Sequence, residues 1–507
     1  MGFALTLLYI VVTLISPDQF GATFASYHPM VHLAGITAVA SLPEMLFCVQ
    51  WRFPLQARLL LGLLIAIALS QVANGWFGGV IESWQTILPS AAVFFFLIVN
   101  VTTVRRLKIA VWVTVATCLG ISIEAMLGYY WGFRSDTFVL LEYGQILRLR
   151  AAGFLNDPND LAQILLIAFP LLFIGWNRGR IAANSFMVIL PGAILLWAVY
   201  LTHSRGALIA LGVLALMAAQ EKIGKTAAAI MASLFVFGMI ALDFTGGRGI
   251  SAADGADRLE AWAGGLELFK RAPLFGIGFG RFVDLNGITA HNSFVLCLAE
   301  LGLVGSTIWL ALNVSAMMDL NSVIAFHESS LNDVEAEEET ANEEQSALLA
   351  FASSSTPTTI GPRDQGSSEI FAHEYAALGY GGVGVEELEE NRQADVSECP
   401  PIYLEPNQTP STSAGLETTI ETDEEDAVPK RFAVAMRFAF ISFLTTGFFL
   451  SRSYVTTMFL ILGLVTATIS LEQHPLGLDE GNRRAFITLG IEVFAIIFIY
   501  FIVRFRH

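Results

Sequence analysis

Residues 258–305 read RLEAWAGGLELFKRAPLFGIGFGRFVDLNGITAHNSFVLCLAELGLVG. A polar, glycine-rich stretch ends at His291-Asn292-Ser293, and an unbroken apolar run begins there. That run continues to about residue 318, long enough to cross a bilayer as a helix. It sets the pattern for the whole chain, in which long apolar runs are separated by short polar junctions.

The chain has 507 residues, of which 54% are hydrophobic and 14% charged. A soluble chain of this size carries about 25% charged residues. Apolar runs fall near 3–16, 30–49, 58–74, 86–103, 107–130, 160–176, 185–202, 206–220, 226–243, 291–318, 432–451, 454–471 and 485–503. The expected fold is therefore an all-α polytopic membrane protein of roughly 12–13 transmembrane helices. The turn Pro17-Asp18 separates the first two runs. Residues 3–15 lack a basic leader and a small-residue cleavage site, so they read as a retained helix.

The net charge of −17 is local. About 25 acidic and three basic residues lie between Asp319 and Lys430, and the remaining membrane body is basic. Rich in Glu, Ser, Thr and Pro, this segment is expected to be a mostly disordered insert, because it cannot bury enough apolar surface to order itself. Nothing here suggests a nucleic-acid partner. Cys48, Cys118, Cys297 and Cys399 form no metal-ligand or disulfide spacing, so no metal and no cofactor is expected. The organisation reads as N-terminal spans over 1–130, a core over 131–318, the acidic insert over 319–430, and C-terminal spans over 431–507.

Basic residues follow every even-numbered run: Arg52 and Arg58, then Arg105, Arg106 and Lys108, then Arg178 and Arg180, then Lys222 and Lys225. By the positive-inside rule these loops are cytoplasmic. The N-terminus and the acidic insert are then inside, and Arg483 and Arg484 agree. The tail Arg504–His507 falls outside, against the rule. Two longer loops, 131–160 and 244–290, also lie outside, as does His203-Ser204-Arg205 between the seventh and eighth runs.

The outer loops hold the candidate chemistry. Arg205, followed by Gly206, is suited to hold phosphate through forked hydrogen bonds; the alternative is a boundary arginine snorkelling to headgroups. Arg258 opens an expected amphipathic helix with Leu259, Trp262, Leu266 and Phe269 on one face. Trp262 there suits the headgroup level. Gly276-Ile277-Gly278-Phe279-Gly280 has neither the preceding strand nor the acidic partner of a nucleotide fingerprint, and reads as a tight turn. His291, at a helix N-terminus, is biased toward the neutral imidazole that a general base requires; a structural histidine is the plainer reading. His203 is the second candidate base, and Asn292 and Ser293 are first-turn hydrogen-bonding residues. In the first outer loop, Arg150 is a candidate ligand contact. Asn159 or Asp160 is the expected helix cap. Glu300, within the tenth run, should face the interior.

Several short motifs, in this order and topology, resemble the O-antigen ligase/polymerase superfamily of bacterial membrane glycosyltransferases. They are Arg150-Ala151-Ala152-Gly153-Phe154-Leu155-Asn156-Asp157-Pro158-Asn159, Ser204-Arg205-Gly206, Arg258 with Trp262, Pro273-Leu274-Phe275-Gly276-Ile277-Gly278, and His291-Asn292-Ser293-Phe294 followed by Glu300-Leu301-Gly302-Leu303-Val304-Gly305. The resemblance covers about residues 130–320.

It implies a GT-C-like ligase/polymerase fold and an inverting, metal-independent glycan transferase in the bacterial inner membrane. Its active site would face the periplasm. The donor would be a polyprenyl-diphosphate-linked glycan. The acceptor hydroxyl would belong to lipid A core, a polysaccharide repeat unit or a protein. By motif, the family's essential arginines fall on Arg205 and Arg258 and its essential histidine on His291. Arg150, Asn159, His203, Trp262 and Asn292 are the expected substrate contacts. The acidic insert departs from the family pattern. Two other classes fit the composition: a transporter or flippase of an anionic lipid-linked sugar, and a membrane scaffold that uses the insert as a docking arm. A transporter should show broken helices or mid-membrane ionisable groups.

Overall fold

The structure is a computed structural model, and it describes residues 1–16, 29–47, 53–142, 146–177, 179–241, 252–354, 430–472 and 480–504. The Pro17-Asp18 turn, Cys48, Arg52, Arg178, Cys399, residues 355–429 of the acidic segment and the tail after Arg504 lie outside the described residues. The chain divides into two units, Met1–Ser330 with Asp423–His507, and Leu331–Thr422.

Each expected apolar run is a helix. In chain order these are α1 (Gly2–Ile15), α2 (Pro29–Phe47), α3 (Leu55–Ala73), α4 (Phe77–Asn100), α5 (Val104–Trp131), α6 (Pro158–Leu171), α7 (Ile181–Leu201, with a π turn at Ser185–Ile189), α8 (Arg205–Ile223), α9 (Lys225–Ala241), α10 (Ala252–Arg271), α11 (Ser293–Ser354), α12 (Lys430–Gly447), α13 (Thr456–Leu471) and α14 (Glu480–Arg504). Among the described residues, eight helical stretches are long and apolar enough to cross a membrane. Helices α1, α8, α9 and α13 are apolar but shorter. The chain is an all-α, multi-pass membrane protein. Its one described sheet is the hairpin β1 (Val139–Glu142) and β2 (Ile146–Leu149), with Leu140 opposite Arg148.

Packing follows small residues and aromatic wedges. Helix α13 lies on α4, where a Cβ at Gly463 would come within 2.7 Å of Leu97. That absence lets the two backbones approach, the usual basis of close helix contact in a bilayer. Phe94 and Phe459, both fully buried, fill the space alongside. Helix α12 packs on α6 and α8 on α9, with Phe440 and Phe443 buried along α12.

The connections gather at two ends. At one, Arg106 bonds the Asn100 carbonyl, Arg431 bonds the Trp176 carbonyl, and buried Asp319 takes Gln56 and Arg484. These are the loops whose basic residues the sequence placed inside. At the other end, Gly153 touches Ser16 and Asn74 bonds the Gly276 carbonyl. Helix α14 starts beside Asp319 and packs on α10, so its basic terminus Arg504 belongs to this second end.

Three sequence expectations change. The helix bearing Arg258 begins at Ala252, so Arg258 sits in its second turn rather than opening it. Trp262 is buried, 8% exposed and edge-on to Phe448, instead of lying out at the headgroups. The acidic segment does not become irregular at Asp319: α11 runs on to Ser354. Asp319 is buried in an ion pair, and the residues after it are mostly Glu, Ala, Leu and Asn without glycine or proline, a composition that permits helix.

Candidate active site at one end of the helix bundle

Two turns carry the sequence candidates, and they are built alike. Helix α7 ends at Leu201, and Ser204 caps α8 by accepting from the Ala207 amide at 3.4 Å. His203, just before the cap, has φ +50°. At the second turn Asn292 caps α11 by accepting from the Phe294 and Val295 amides at 2.9 and 3.0 Å. His291, just before that cap, also has φ +50°. Left-handed backbone in a non-glycine residue costs about 1 kcal/mol or more, and it gathers at functional sites.

Arg205 is therefore the first residue of α8, half-buried, at a helix N-terminus that favours anions. The preceding turn is held from the hairpin. Arg148, 4% exposed, donates from Nε to the Thr202 carbonyl at 2.8 Å and from Nη2 to Asn159 Oδ1 at 3.2 Å. Asn159 lies in the first turn of α6. The cap of that helix is Asp157, which accepts from the Asn159 amide at 2.7 Å, and not Asn159 or Asp160. Pro158 at the first helical position explains the shift, since it fixes the helical φ there.

The second turn is clasped by the connection between α12 and α13. Ser293 Oγ donates to the Leu450 carbonyl at 2.7 Å and accepts from the Arg452 amide at 3.0 Å. Ser453 Oγ donates to the Ser293 carbonyl at 2.6 Å, and Thr289 and Ser451 share a 2.7 Å hydroxyl contact. The Arg452 guanidinium pairs with Asp160 through both Nε and Nη2. The sequence reading passed over Arg452. The signal was there, as a charged residue in Ser451-Arg452-Ser453 between two apolar runs on the side expected to be poor in cations.

Helix α11 is broken about two and a half turns further in. Gly302 has φ +63° and ψ −164°, and the segment from Pro273 to Gly280 fills the gap. Ile277 and Gly278 donate their amides to the carbonyls of Ala299 and Glu300, while Leu303 and Val304 donate to the carbonyls of Pro273 and Leu274, at 2.9–3.1 Å. The glycine-rich turn and the Glu300–Gly305 motif are thus one unit, and the polar groups freed by the break are satisfied within protein, as a membrane interior demands. Glu300 is buried and accepts from the Phe282 amide at 3.1 Å. Gln71 and Asn74 of α3 hold the same segment through the carbonyls of Phe279 and Gly276.

Beside the Arg205 turn lies a small cleft lined by Asn159, Ser204, Gly206, Arg258, Thr446 and Phe449, among others. Arg258 comes from α10, and its Cζ lies 5.8 Å from the Phe449 ring centroid in a cation–π contact. Phe449 in turn covers Gly206, where an added Cβ would meet its side chain at 3.3 Å. The cleft thus brings Arg258 to the turn that bears Arg205. His291, half-buried, is held below the ordinary imidazole value of 6.5 by burial first and then by the Arg258 charge, with Asp157 and Asp257 opposing. The imidazole is accordingly neutral near pH 7.

The remaining candidates have other contacts. Arg150 donates to the Asp136 carbonyl at 2.6 Å. His203 is buried with its ring 5.5 Å from that of Tyr200. Asn292 is spent as a cap, although its Nδ2 is buried without a hydrogen-bond partner among the described residues, as is the Trp262 indole nitrogen. Among the described residues, no three His, Cys, Asp or Glu side chains come together in a way that could hold a metal ion.

A multi-pass helical membrane protein with a cationic cleft at one end of its bundle is the class that fold and site define. A family model described as O-antigen ligase matches residues 190–310, from within α7 to the part of α11 just beyond its break at Gly302. Over that stretch the chain is similar to the O-antigen ligase family, which implies a membrane glycan transferase or ligase in general. No curated protein matches the chain.

Proposed function

We propose that this protein transfers a glycan from a polyprenyl-diphosphate carrier to an acceptor hydroxyl at the periplasmic face of the bacterial inner membrane. The observation that carries this reading is the cleft where Arg258 meets the N-terminus of α8, with His291 close enough to feel the Arg258 charge. Arg205 and Arg258 hold the diphosphate. Asn159, fixed by Arg148, lines the same wall.

In the reaction, the acceptor oxygen attacks the anomeric carbon as the bond from that carbon to the phosphate oxygen breaks. The leaving diphosphate gains negative charge, which fixed guanidinium groups and helix amides stabilise in the transition state. His291 takes the acceptor proton, and its depressed basicity keeps it unprotonated beforehand. The basic residues at the opposite end of the bundle support placing the cleft outside. Lipid A core, a polysaccharide repeat unit and a protein side chain all offer the hydroxyl this chemistry needs, and O-antigen ligase-like transfer is the form nearest the matched family.

A transporter would require a broken helix, and α11 has one. Its gap, however, is closed by four backbone hydrogen bonds to residues 273–278. That arrangement favours a rigid scaffold behind the cleft over a substrate path.

The test is glycan transfer by the purified protein in liposomes, from a polyprenyl-diphosphate glycan, with and without chelator. His291→Ala should abolish transfer while the protein remains inserted, and Arg258→Ala should weaken donor binding. Full transfer by the His291 variant would overturn the assignment of the base.

A further inference from the structure

A continuous chain of polar contacts joins the Arg205 turn to the His291 turn, and it runs through two arginines engaged with other protein groups. Arg148 holds the Thr202 carbonyl, three residues before Arg205, and Asn159 of α6. The next residue, Asp160, pairs with Arg452 through both carboxylate oxygens. The Arg452 amide and the Ser453 hydroxyl then grip Ser293, two residues after His291. Five segments are tied in this way: the α7–α8 turn, the hairpin, α6, the α12–α13 connection and α11.

The link between Asp160 and Arg452 is the one most demanding of geometry. The Asp160 side chain is only 4% exposed, in the first turn of α6, where the helix dipole favours a carboxylate. A buried carboxylate needs a paired cation. Arg452 meets it side-on with a planar fork, which fixes direction as well as distance in a way an ammonium does not. Phe449 and Leu450, just before Arg452, line the cleft, as does Asn159, just before Asp160. Any slack in the pair therefore lets the His291 turn shift relative to the Arg205 turn.

We propose that Arg452 is a positioning residue for the transfer reaction: paired with Asp160, it fixes the His291 turn relative to the Arg205 turn. The proposal rests on the transferase reading above, but its structural half can be tested without catalysis. A base held in place by such a strut loses alignment, not donor affinity, when the strut is removed. A misplacement near 1 Å costs about a hundredfold in rate.

The experiment uses the full chain in liposomes, with Arg452→Ala, Arg452→Lys and the exchanged pair Asp160→Arg/Arg452→Asp. Transfer kinetics are read with the polyprenyl-diphosphate glycan as donor, and amide hydrogen exchange is followed across residues 289–296 and 156–162. Arg452→Ala should lower kcat by about 30- to 100-fold with the donor KM changed less than about threefold. Arg452→Lys, which keeps charge but not the fork, should fall between. Exchange at 289–296 should quicken at least about tenfold in Arg452→Ala, and the exchanged pair should restore part of both losses. A rise in donor KM as large as the fall in kcat would overturn the proposal by making Arg452 a donor contact. Unchanged hydrogen exchange at 289–296 would also overturn it, as would normal kcat. If the wild type transfers nothing, the transferase reading fails by itself, and exchange still decides whether Arg452 holds the His291 turn. If Arg452→Ala does not insert, Arg452→Lys decides by the same two readouts.

Discussion

Gly276 and Gly302 lie back to back, and neither has room for a side chain. A Cβ on Gly302 would fall 2.5 Å from the Leu274 carbonyl and 2.6 Å from the Gly276 nitrogen, while one on Gly276 would overlap the Glu300 carbonyl. Both residues are also in the left-handed region, at φ +63° and +71°. This contact lets the loop at 273–280 enter the break in α11.

Gly302→Ala should therefore be strongly destabilising. The left-handed backbone alone costs about 1–2 kcal/mol, and forced overpacking typically adds about 1–3 kcal/mol. Thermal unfolding of the detergent-solubilised protein would show the loss. A variant as stable as wild type would mean that the helix break is not held by this contact.

Phe449 holds the Arg258 guanidinium with its ring face and covers Gly206 with its Cβ. Phe449→Leu keeps an apolar cover over the glycine but removes the π face. A cation–π contact contributes about 0.5–2 kcal/mol, so donor affinity should fall roughly two- to thirtyfold. Phe449→Tyr should bind donor normally. Equal affinities for Leu and Phe would show that the ring face does not orient Arg258.

Because burial and the Arg258 charge both disfavour the imidazolium, His291 protonates at a lower pH than an ordinary histidine. The base is lost as pH falls, so the acid limb of kcat/KM, which reports the free enzyme, should have its midpoint below 6.5. Asp257 opposes the shift, so Asp257→Asn should move that midpoint lower still. A midpoint at or above 6.5 in the wild type would disconnect the acid limb from this histidine.

At the far end of the bundle, Asp319 is 2% exposed, forms an ion pair with Arg484 and accepts a hydrogen bond at 2.6 Å from Gln56 Nε2. Asp319→Ala should cost about 3–5 kcal/mol, since it leaves a buried guanidinium without its carboxylate. Pairing it with Arg484→Met should recover much of that loss. Thermal unfolding of the single and double variants measures the coupling; additive losses would argue against a buried pair.

Much of this was legible in the sequence. Apolar runs placed every membrane helix, because a bilayer forces each crossing to satisfy its backbone locally. The two histidine turns, Arg205, Arg258 and the interior position of Glu300 were also readable, since caps and interior charges carry local signatures. Asp157, rather than its neighbours, became the cap of α6 because Pro158 sets the register. The break at Gly302 was hidden, because an apolar run containing glycine reads the same whether the helix continues or stops. What stops it here is a loop some 25 residues earlier in the chain, which takes over its hydrogen bonds.

By itself the sequence determined a multi-pass helical protein and offered candidate residues for holding an anion or moving a proton. These follow from composition, run length and residue chemistry, which do not depend on distant contacts. Only the tertiary structure decided how each arginine is used. Arg148, Arg452 and Arg484 are chemically the same group as Arg205 and Arg258, yet the first three hold the protein's own carbonyls and carboxylates. Arg258 lines the cleft, and Arg205 stands at the N-terminus of α8 between the lining residues Ser204 and Gly206. A guanidinium binds whatever acceptor folding presents to it, so its role is fixed by the partner and not by its place in the chain.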